Sequence, residues 1–223
     1  MDLQKEQLKW MEQQMWAEQQ TKLERYRILN HYAKPGEILF TGSSLMEQFP
    51  INELLMSNKM TQIIYNRGIG GFTTDDMLQY MDEMVYGTRP SKIFINIGTN
   101  DISKPQYRLE TLIGNYRTIL CRTKEHLPQA EIFMMAYYPV NETDKLPDIP
   151  GAAGMFATRN NENLRTANQA VEALAAELGC RYIDVNRGLI DDRGKLKKEY
   201  TIEGIHMYAN AYQIILENMK PYL

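Results

Sequence analysis

Short apolar segments recur along most of the chain, and longer amphipathic segments separate them. The apolar segments are rich in β-branched or aromatic residues and nearly continuous in apolar character, as strands covered on both faces are. The predicted strands are Ile38–Thr41, Ile63–Asn66, Lys92–Ile97, Glu131–Tyr137 and Arg181–Val185. Segments with helical spacing of apolar residues lie at about 73–86, 107–126, 159–178 and 207–219.

This alternation of strands and helices determines the predicted topology. A repeated strand, helix and strand requires parallel strands that are joined by right-handed crossovers. Helices then cover both faces of the sheet. We therefore predict an α/β fold, a three-layer α/β/α sandwich with a five-stranded parallel sheet, which spans residues 34–223 as one domain.

Residues 1–33 are predicted to form a helical arm that precedes this domain. They contain neither Gly nor Pro, whereas the sequence AKPG at 33–36 ends the helix because proline cannot continue it. The apolar positions of the arm have near-helical spacing, at Leu8, Met11, Met15, Leu23 and Tyr26.

Polar residues at Gln19 and Lys22 interrupt this apolar stripe, which leaves two arrangements open. In one, the arm lies along its own domain. In the other, side chains such as Trp10 and Trp16 contact a second subunit, which makes the protein a homodimer through its N-terminal helix.

Composition and charge exclude several classes of partner. The net charge of -3 provides no large basic surface for nucleic acid. The chain has no N-terminal signal sequence and no run of about 18 apolar residues that could span a membrane, so we expect a cytoplasmic protein. Cys121 and Cys180 are too few and too isolated for a disulfide framework or a zinc site, and we expect no metal or organic cofactor.

Candidate chemistry lies where the predicted strands end. Parallel sheets bind their ligands beyond the carboxyl ends of the strands. The chain has GSS at 42–44 after the first strand, NRGIGG at 66–71 after the second and GTND at 98–101 after the third. EGIH at 203–206 precedes the last helix. These motifs place a hydroxyl, glycine turns, a carboxamide, a carboxylate and an imidazole at one edge of the sheet.

Nucleophilic acyl transfer requires this set of groups. A serine hydroxyl needs a base to remove its proton, and the base needs a carboxylate to fix its tautomer. Ser44 would attack, His206 would take the proton, and Glu203 would accept a hydrogen bond from the other ring nitrogen. The backbone amides of Ser44 and Gly71 and the side-chain amide of Asn100 would surround the developing oxyanion.

The sequences TGSSL, NRGIGG, IGTND and EGIHMYANAY resemble, in order and spacing, the four blocks of the SGNH hydrolases, also called GDSL-type esterases and lipases. The resemblance extends from about Glu37 to the C-terminus, and the branch of platelet-activating-factor acetylhydrolases is most similar in general form. It implies the flavodoxin-like SGNH hydrolase fold. It also implies a nucleophile at Ser44, oxyanion donors at Gly71 and Asn100, and a base at His206.

The chain differs from the family pattern at two positions. Ser43 stands where the family usually has an aspartate before the nucleophile. Glu203 stands where it usually has the aspartate of the triad, and the extra methylene of a glutamate is accommodated in other serine hydrolases. The resemblance thus implies a serine esterase or acylhydrolase, with Ser44, His206 and Glu203 as the catalytic residues.

Each block also has an ordinary structural explanation. Ser43 and Ser44 suit the start of a helix, and the glycines and Asn100 suit turns. A flavodoxin-like module that binds phosphate or flavin, or a catalytically weak or inactive interaction module, is the alternative function. The occurrence of all four blocks in order at strand ends favours catalysis. The irregular segment Pro139–Phe156 lacks the long apolar character of a lipid-binding lid, so we expect a small ester with a short acyl group.

Overall fold

Parallel strands form one five-stranded sheet in the order β2-β1-β3-β4-β5. The computed structural model describes residues 2–142, 154 and 156–223. The strands are β1 (Ile38–Gly42), β2 (Ile64–Asn66), β3 (Lys92–Asn96), β4 (Glu131–Met135) and β5 (Arg181–Ile183). The predicted sheet is confirmed, and β3, β4 and β5 end one or two residues before their predicted ends.

Helices connect these strands and cover both faces of the sheet. They are α1 (Asp2–His31), α2 (Ser44–Glu47), α3 (Ile51–Ser57), α4 (Thr74–Gln79), α5 (Thr99–Ile102), α6 (Leu109–His126), α7 (Asn161–Leu178) and α8 (Ala209–Met219). The predicted helix 73–86 is divided into α4 and a π-helix at Asp82–Tyr86. Thr73 begins α4 with a capping box in which its side chain and that of Asp76 bond each other's backbone amides.

Successive residues of each strand enter different cores. Leu39 and Ile93 belong to the cluster that α6 and α7 complete. Phe40 and Phe94, their neighbours along β1 and β3, belong to the cluster that α2 and α8 complete. Because both faces are buried, the central residues of the strands are apolar and most polar residues lie at the strand ends, and this explains their nearly continuous apolar character in the sequence.

The N-terminal helix lies along its own domain over its second half. Leu23 is 0% exposed and belongs to the first core. The hydroxyl of Tyr26 donates to the carbonyl of Gly68 at 2.7 Å, and the amide of Asn30 donates to the carbonyl of Glu83 at 3.0 Å. The first half of α1 is exposed at Trp10 and at the other large apolar residues, Met11, Met15 and Trp16.

Three further sequence expectations concern the periphery of the fold. Most of the predicted irregular segment Pro139–Phe156, namely 143–153 and 155, lies outside the described residues. Cys121 and Cys180 are free and partly buried. Among the described helices, none combines the length and the apolar character needed to cross a membrane.

Candidate active site

Residues from the four sequence blocks meet at the carboxyl edge of the sheet. Ser44, Gly71, Asn100 and His206 all line one cavity of about 510 Å³. This volume lies in the range of small-molecule sites. The structure therefore brings together the predicted site residues that come from distant parts of the chain.

The turn after β1 fixes the position of the serine. Gly42 has φ 152°, and a Cβ at this position would lie 2.1 Å from the carbonyl oxygen of Asn96 on β3. Only glycine fits so close to the neighbouring strand. The chain then enters α2, whose first residue is Ser44. The hydroxyl of Ser43 is buried and has no hydrogen-bond partner among the described residues.

An imidazole contacts only one of these two serines. The Nε2 atom of His206 lies 2.9 Å from the Oγ atom of Ser44, which is hydrogen-bond distance. Ser44 therefore has a neighbouring base that Ser43 lacks among the described residues.

A carboxylate contacts the other ring nitrogen of this histidine. Oε1 of Glu203 makes a short hydrogen bond with Nδ1 of His206 and also accepts from the backbone amide of His206 at 3.1 Å. Glu203 is 5% exposed. Burial favours the protonated form of this carboxyl, but the hydrogen bonds and charge of His206 outweigh burial and lower its pKa. The extra methylene of glutamate therefore does not prevent the contact.

A tight loop holds the acid and the imidazole together. Thr201 and Met207 form an antiparallel bridge at its base, and Gly204 between them has φ 99°. The hydroxyl of Thr201 accepts from the amide of Gly204 at 2.8 Å and donates to the carbonyl of His206 at 2.9 Å. This loop is therefore closed around Glu203 by its own hydrogen bonds.

The last helix joins this loop to the serine turn. Tyr212 on α8 is buried, and its hydroxyl donates to the carbonyl of Leu45 at 2.8 Å. Leu45 directly follows Ser44 in α2. The hydrogen bond from Tyr212 thus links the segment after His206 to the segment after Ser44. This link helps to hold the imidazole and the serine hydroxyl at hydrogen-bond distance.

Three residues that line the cavity have N–H donors that described residues do not fully use. The backbone amides of Ser44 and Gly71 donate to no other described residue. Asn100 donates one amide hydrogen to the carbonyl of Phe72 at 2.9 Å, and its second amide hydrogen is left for a ligand. Gly71 has φ 80°, a left-handed backbone conformation that favours glycine.

Residues outside the four blocks hold the glycine turn. The amide of Gly70 donates to Glu47 at 2.5 Å, and the side chain of Gln19 donates to the carbonyl of Gly70 at 2.7 Å. Lys22 forms an ion pair with Glu47 at 2.6 Å. The sequence indicated Gln19 and Lys22 only as polar interruptions of the apolar stripe on α1, which is the signal that would have located them.

Two further residues near the site differ in their roles. Asp101, the last residue of GTND, accepts from the hydroxyl of Thr74 at 2.5 Å and from its amide at 3.0 Å, and thereby links α5 to α4. Burial raises the pKa of the Asp101 carboxyl. Arg159, which sequence reasoning did not select, lines the cavity with Ser44 and His206 and is 3% exposed.

Two sequence comparisons show known proteins that this chain resembles. A model of the GDSL-like lipase/acylhydrolase family matches residues 51–214, a segment that includes Asn100 and His206 and begins after Ser44. The curated N-acylneuraminate cytidylyltransferase of Escherichia coli O18:K1:H7 is 23% identical over 191 residues. That match covers 85% of this chain, and the chain spans about 40% of the length of this relative.

Solved structures give a closer likeness. A Streptococcus pneumonia protein, described provisionally as a platelet activating factor, has 33% identity and a TM-score of 0.86, with 96% of this chain and 97% of that chain covered. The acetylxylan esterase Axe2 from Geobacillus stearothermophilus has the same fold, with 17% identity, a TM-score of 0.63, and coverage of 85% and 94%. Because the family model matches most of the chain and the Streptococcus protein is similar over nearly all of it, this chain belongs to the GDSL-like lipase/acylhydrolase family, the SGNH serine hydrolases that act on esters.

Proposed function

We propose that this protein is a serine esterase that cleaves carboxylic esters through an acyl-enzyme on Ser44. The observation that carries the proposal is the continuous contact from the hydroxyl of Ser44 through the imidazole of His206 to the carboxylate of Glu203. This order of nucleophile, base and acid is the arrangement that activates a serine hydroxyl.

In the first half of the reaction, Oγ of Ser44 attacks the carbonyl carbon of the ester while Nε2 of His206 takes the hydroxyl proton. Glu203 accepts a hydrogen bond from Nδ1, which fixes the tautomer and stabilises the imidazolium. The tetrahedral intermediate then breaks its bond to the alcohol oxygen. This oxygen takes the proton from His206, and the alcohol leaves. The acyl group remains bound to Ser44.

In the second half, water replaces the alcohol. His206 removes a proton from the water, whose oxygen attacks the acyl carbon to form a second tetrahedral intermediate. The bond from the acyl carbon to Oγ of Ser44 then breaks, Oγ takes the proton back from His206, and the carboxylic acid is released. In both tetrahedral intermediates, the amides of Ser44 and Gly71 and the side chain of Asn100 would donate to the oxyanion. The N–H donors of these three residues, which described residues do not fully use, support this assignment.

The proposed substrates are small esters with short acyl groups, among which acetylated carbohydrates are the first class to test. The sequence of the irregular segment Pro139–Phe156, which lacks the long apolar character of a lipid-binding lid, supports a short acyl group. The names of similar proteins support an acetylated carbohydrate as the substrate, since these proteins include an acetylxylan esterase and an N-acylneuraminate cytidylyltransferase. From the sequence we also propose a cytoplasmic location and a reaction without a metal or organic cofactor.

Substitution of each serine tests the proposed nucleophile. Ser44→Ala is expected to lower kcat by about 10⁴-fold or more toward short-chain 4-nitrophenyl esters and acetylated sugars, because it removes the attacking oxygen. Ser43→Ala is the matched control and is expected to reduce kcat far less. The melting temperature of both variants reports whether the fold is retained.

The wild type and the two serine variants also distinguish the proposed esterase from the alternative function, a binding module without activity. A fluorophosphonate probe is expected to label the wild type on the peptide that contains Ser44 and to leave the Ser44→Ala variant unlabelled. A larger loss in Ser43→Ala than in Ser44→Ala would contradict the proposed nucleophile. A wild-type protein that is inert to every ester and to the probe would instead be an inactive binding module.

A further inference from the structure

Arg159 is a buried cation at the wall of the active-site cavity. It lies two residues before α7, and it lines the cavity together with Ser44 and His206. Its side chain is 3% exposed. Within residues 2–142, 154 and 156–223, its Nε atom has no hydrogen-bond partner and its guanidinium forms no ion pair.

No described residue forms an ion pair with this guanidinium at close range. Burial lowers the pKa of Arg159 to about 10, and the negative charge of Glu203 opposes this effect. Arg159 therefore remains protonated at neutral pH. Glu203 is not within ion-pair distance of it, and the oxygen Oε1 of Glu203 is already bound by His206. A buried charge without a close partner is costly and calls for an explanation.

Lys22 also lines the cavity, but unlike Arg159 it forms ion pairs. Lys22 pairs with Glu18 at 2.7 Å and with Glu47 at 2.6 Å, so it has two carboxylate partners. Arg159 has no such partner, since no carboxylate of the described residues pairs with it directly. A buried guanidinium without a direct partner at the wall of a substrate cavity suits a ligand group that brings a carboxylate to it.

We propose that Arg159 forms a subsite that binds a carboxylate carried by the ester substrate. The planar guanidinium presents paired N–H donors that match the two oxygens of a carboxylate. This inference rests on the proposed esterase function and names the substrate class of the same site, an ester with an acidic acyl group or an acidic alcohol.

A rival role for Arg159 is to stabilise the ionised form of Glu203 and so to act as a positioning residue. The two roles differ in their effect on different substrates. Loss of a positioning residue lowers the turnover of every ester by the same factor. Loss of a carboxylate subsite lowers the turnover of carboxylated esters selectively.

Matched pairs of esters test the subsite on the wild-type protein. One pair is the 4-nitrophenyl monoester of succinic acid and 4-nitrophenyl pentanoate, which differ in a carboxylate on the acyl group. The other pair is O-acetylated glucuronic acid and O-acetylated glucose, which differ in a carboxylate on the alcohol. In at least one pair we expect kcat/KM to favour the acidic ester by about tenfold or more. Equal values in both pairs overturn the proposal.

Substitutions then assign this preference to Arg159. Arg159→Gln is expected to reduce the ratio of kcat/KM between acidic and neutral esters by about tenfold or more. Arg159→Lys is expected to reduce this ratio by less, because lysine retains the positive charge but lacks the paired N–H donors of the guanidinium. Arg165→Gln, which removes an exposed arginine from α7, is the matched control and should leave the ratio unchanged. An equal loss for both members of each pair in Arg159→Gln overturns the subsite in favour of the positioning role.

Failure of the subsite can be distinguished from failure of the proposed function. Ester hydrolysis that depends on Ser44 but shows no preference for acidic esters refutes the subsite alone. If the wild type hydrolyses no ester, the proposed function fails, and calorimetric titration with succinate and glucuronate decides the subsite. Equal affinity of the wild type and Arg159→Gln for both acids then overturns it. If Arg159→Gln does not fold, the wild-type preference and the Arg159→Lys ratio decide.

Discussion

At the residue scale, the proton on His206 determines whether Ser44 can act as a nucleophile. Nε2 must accept the proton of Ser44, so the hydrogen of the neutral imidazole must lie on Nδ1, which donates it to the carboxylate of Glu203. The single oxygen Oε1 of Glu203 contacts both Nδ1 and the backbone amide of His206. These two contacts orient the imidazole and resist its rotation.

Glu203→Gln tests this dependence. We expect kcat to fall by about 10³–10⁴-fold, with a smaller change in KM, because an amide that donates to Nδ1 would stabilise the wrong tautomer. Steady-state kinetics with a short-chain ester measures the change. Glu199→Gln removes an exposed carboxylate from the nearby 3₁₀ helix Lys198–Tyr200 and serves as the control. Near-wild-type turnover of Glu203→Gln would mean that another group fixes the tautomer.

The sequence predicted the site residues that belong to the four blocks near strand ends. It did not predict the residues that other helices bring to the same cavity. Ser44, Glu203 and His206 were identifiable because acyl transfer needs these groups and their order matched a known pattern. Arg159 carries no local signal of that kind, and Gln19 is marked only as a polar interruption of the apolar stripe on α1. Their position at the cavity depends on how α1 and α7 pack on the sheet, which spacing along the chain does not encode.

At the scale of elements, α1 forms part of the wall of the active site. Gln19 on this helix holds the carbonyl of Gly70, and Lys22 pairs with Glu47, which in turn accepts from the amide of Gly70. The proposed oxyanion donor Gly71 follows directly. The helix therefore fixes the glycine turn from outside the sheet.

Gln19→Ala tests whether this contact matters for turnover. We expect kcat to fall by about threefold to tenfold, which corresponds to the loss of one hydrogen bond that positions the turn. Gln14→Ala, on the exposed part of the same helix, is the control and should leave kcat unchanged. If both variants retain full kcat, the glycine turn is held sufficiently by Glu47.

Leu23→Ala tests whether α1 is part of the folded domain rather than a separate arm. Leu23 is 0% exposed, so the substitution leaves a cavity and is expected to lower the free energy of unfolding by about 2–5 kcal/mol. Leu29→Ala on the same helix removes a side chain that is 49% exposed and is expected to change it by about 0.5 kcal/mol or less. Urea denaturation measures both. Equal small losses would support an independent arm at residues 1–33.

The elements that sequence reasoning located are those whose own pattern determines them. The strands were located to within two residues because burial on both faces leaves them apolar throughout. The short helices α2, α3 and α5 were not predicted, since helices of so few residues depend on tertiary contacts. The division of the predicted helix 73–86 at Tyr80 has no physical account in the described contacts.

At the scale of the whole molecule, the packed face of α1 continues past the edge of the domain. Gln19 and Leu23 on this face are buried, whereas Met11 and Met15 lie on the same side at helical spacing and are about half exposed. Successive residues are about 100° apart around a helix, so Trp10 lies on the side opposite the line from Met11 to Leu23, and Trp16 lies to one side of that line. An exposed apolar face that extends a buried one is typical of a contact with a second subunit.

We therefore predict a homodimer in which Met11 and Met15 of the two copies lie at the contact. Light scattering after size exclusion is expected to give twice the chain mass for the wild type and the chain mass for a Met11→Gln, Met15→Gln double variant, because the apolar area that drives association is lost. Trp10→Gln is the control and is expected to remain dimeric. A monomeric wild type at every concentration would refute the dimer. Dissociation of Trp10→Gln instead of the double variant would place the contact on the opposite side of α1.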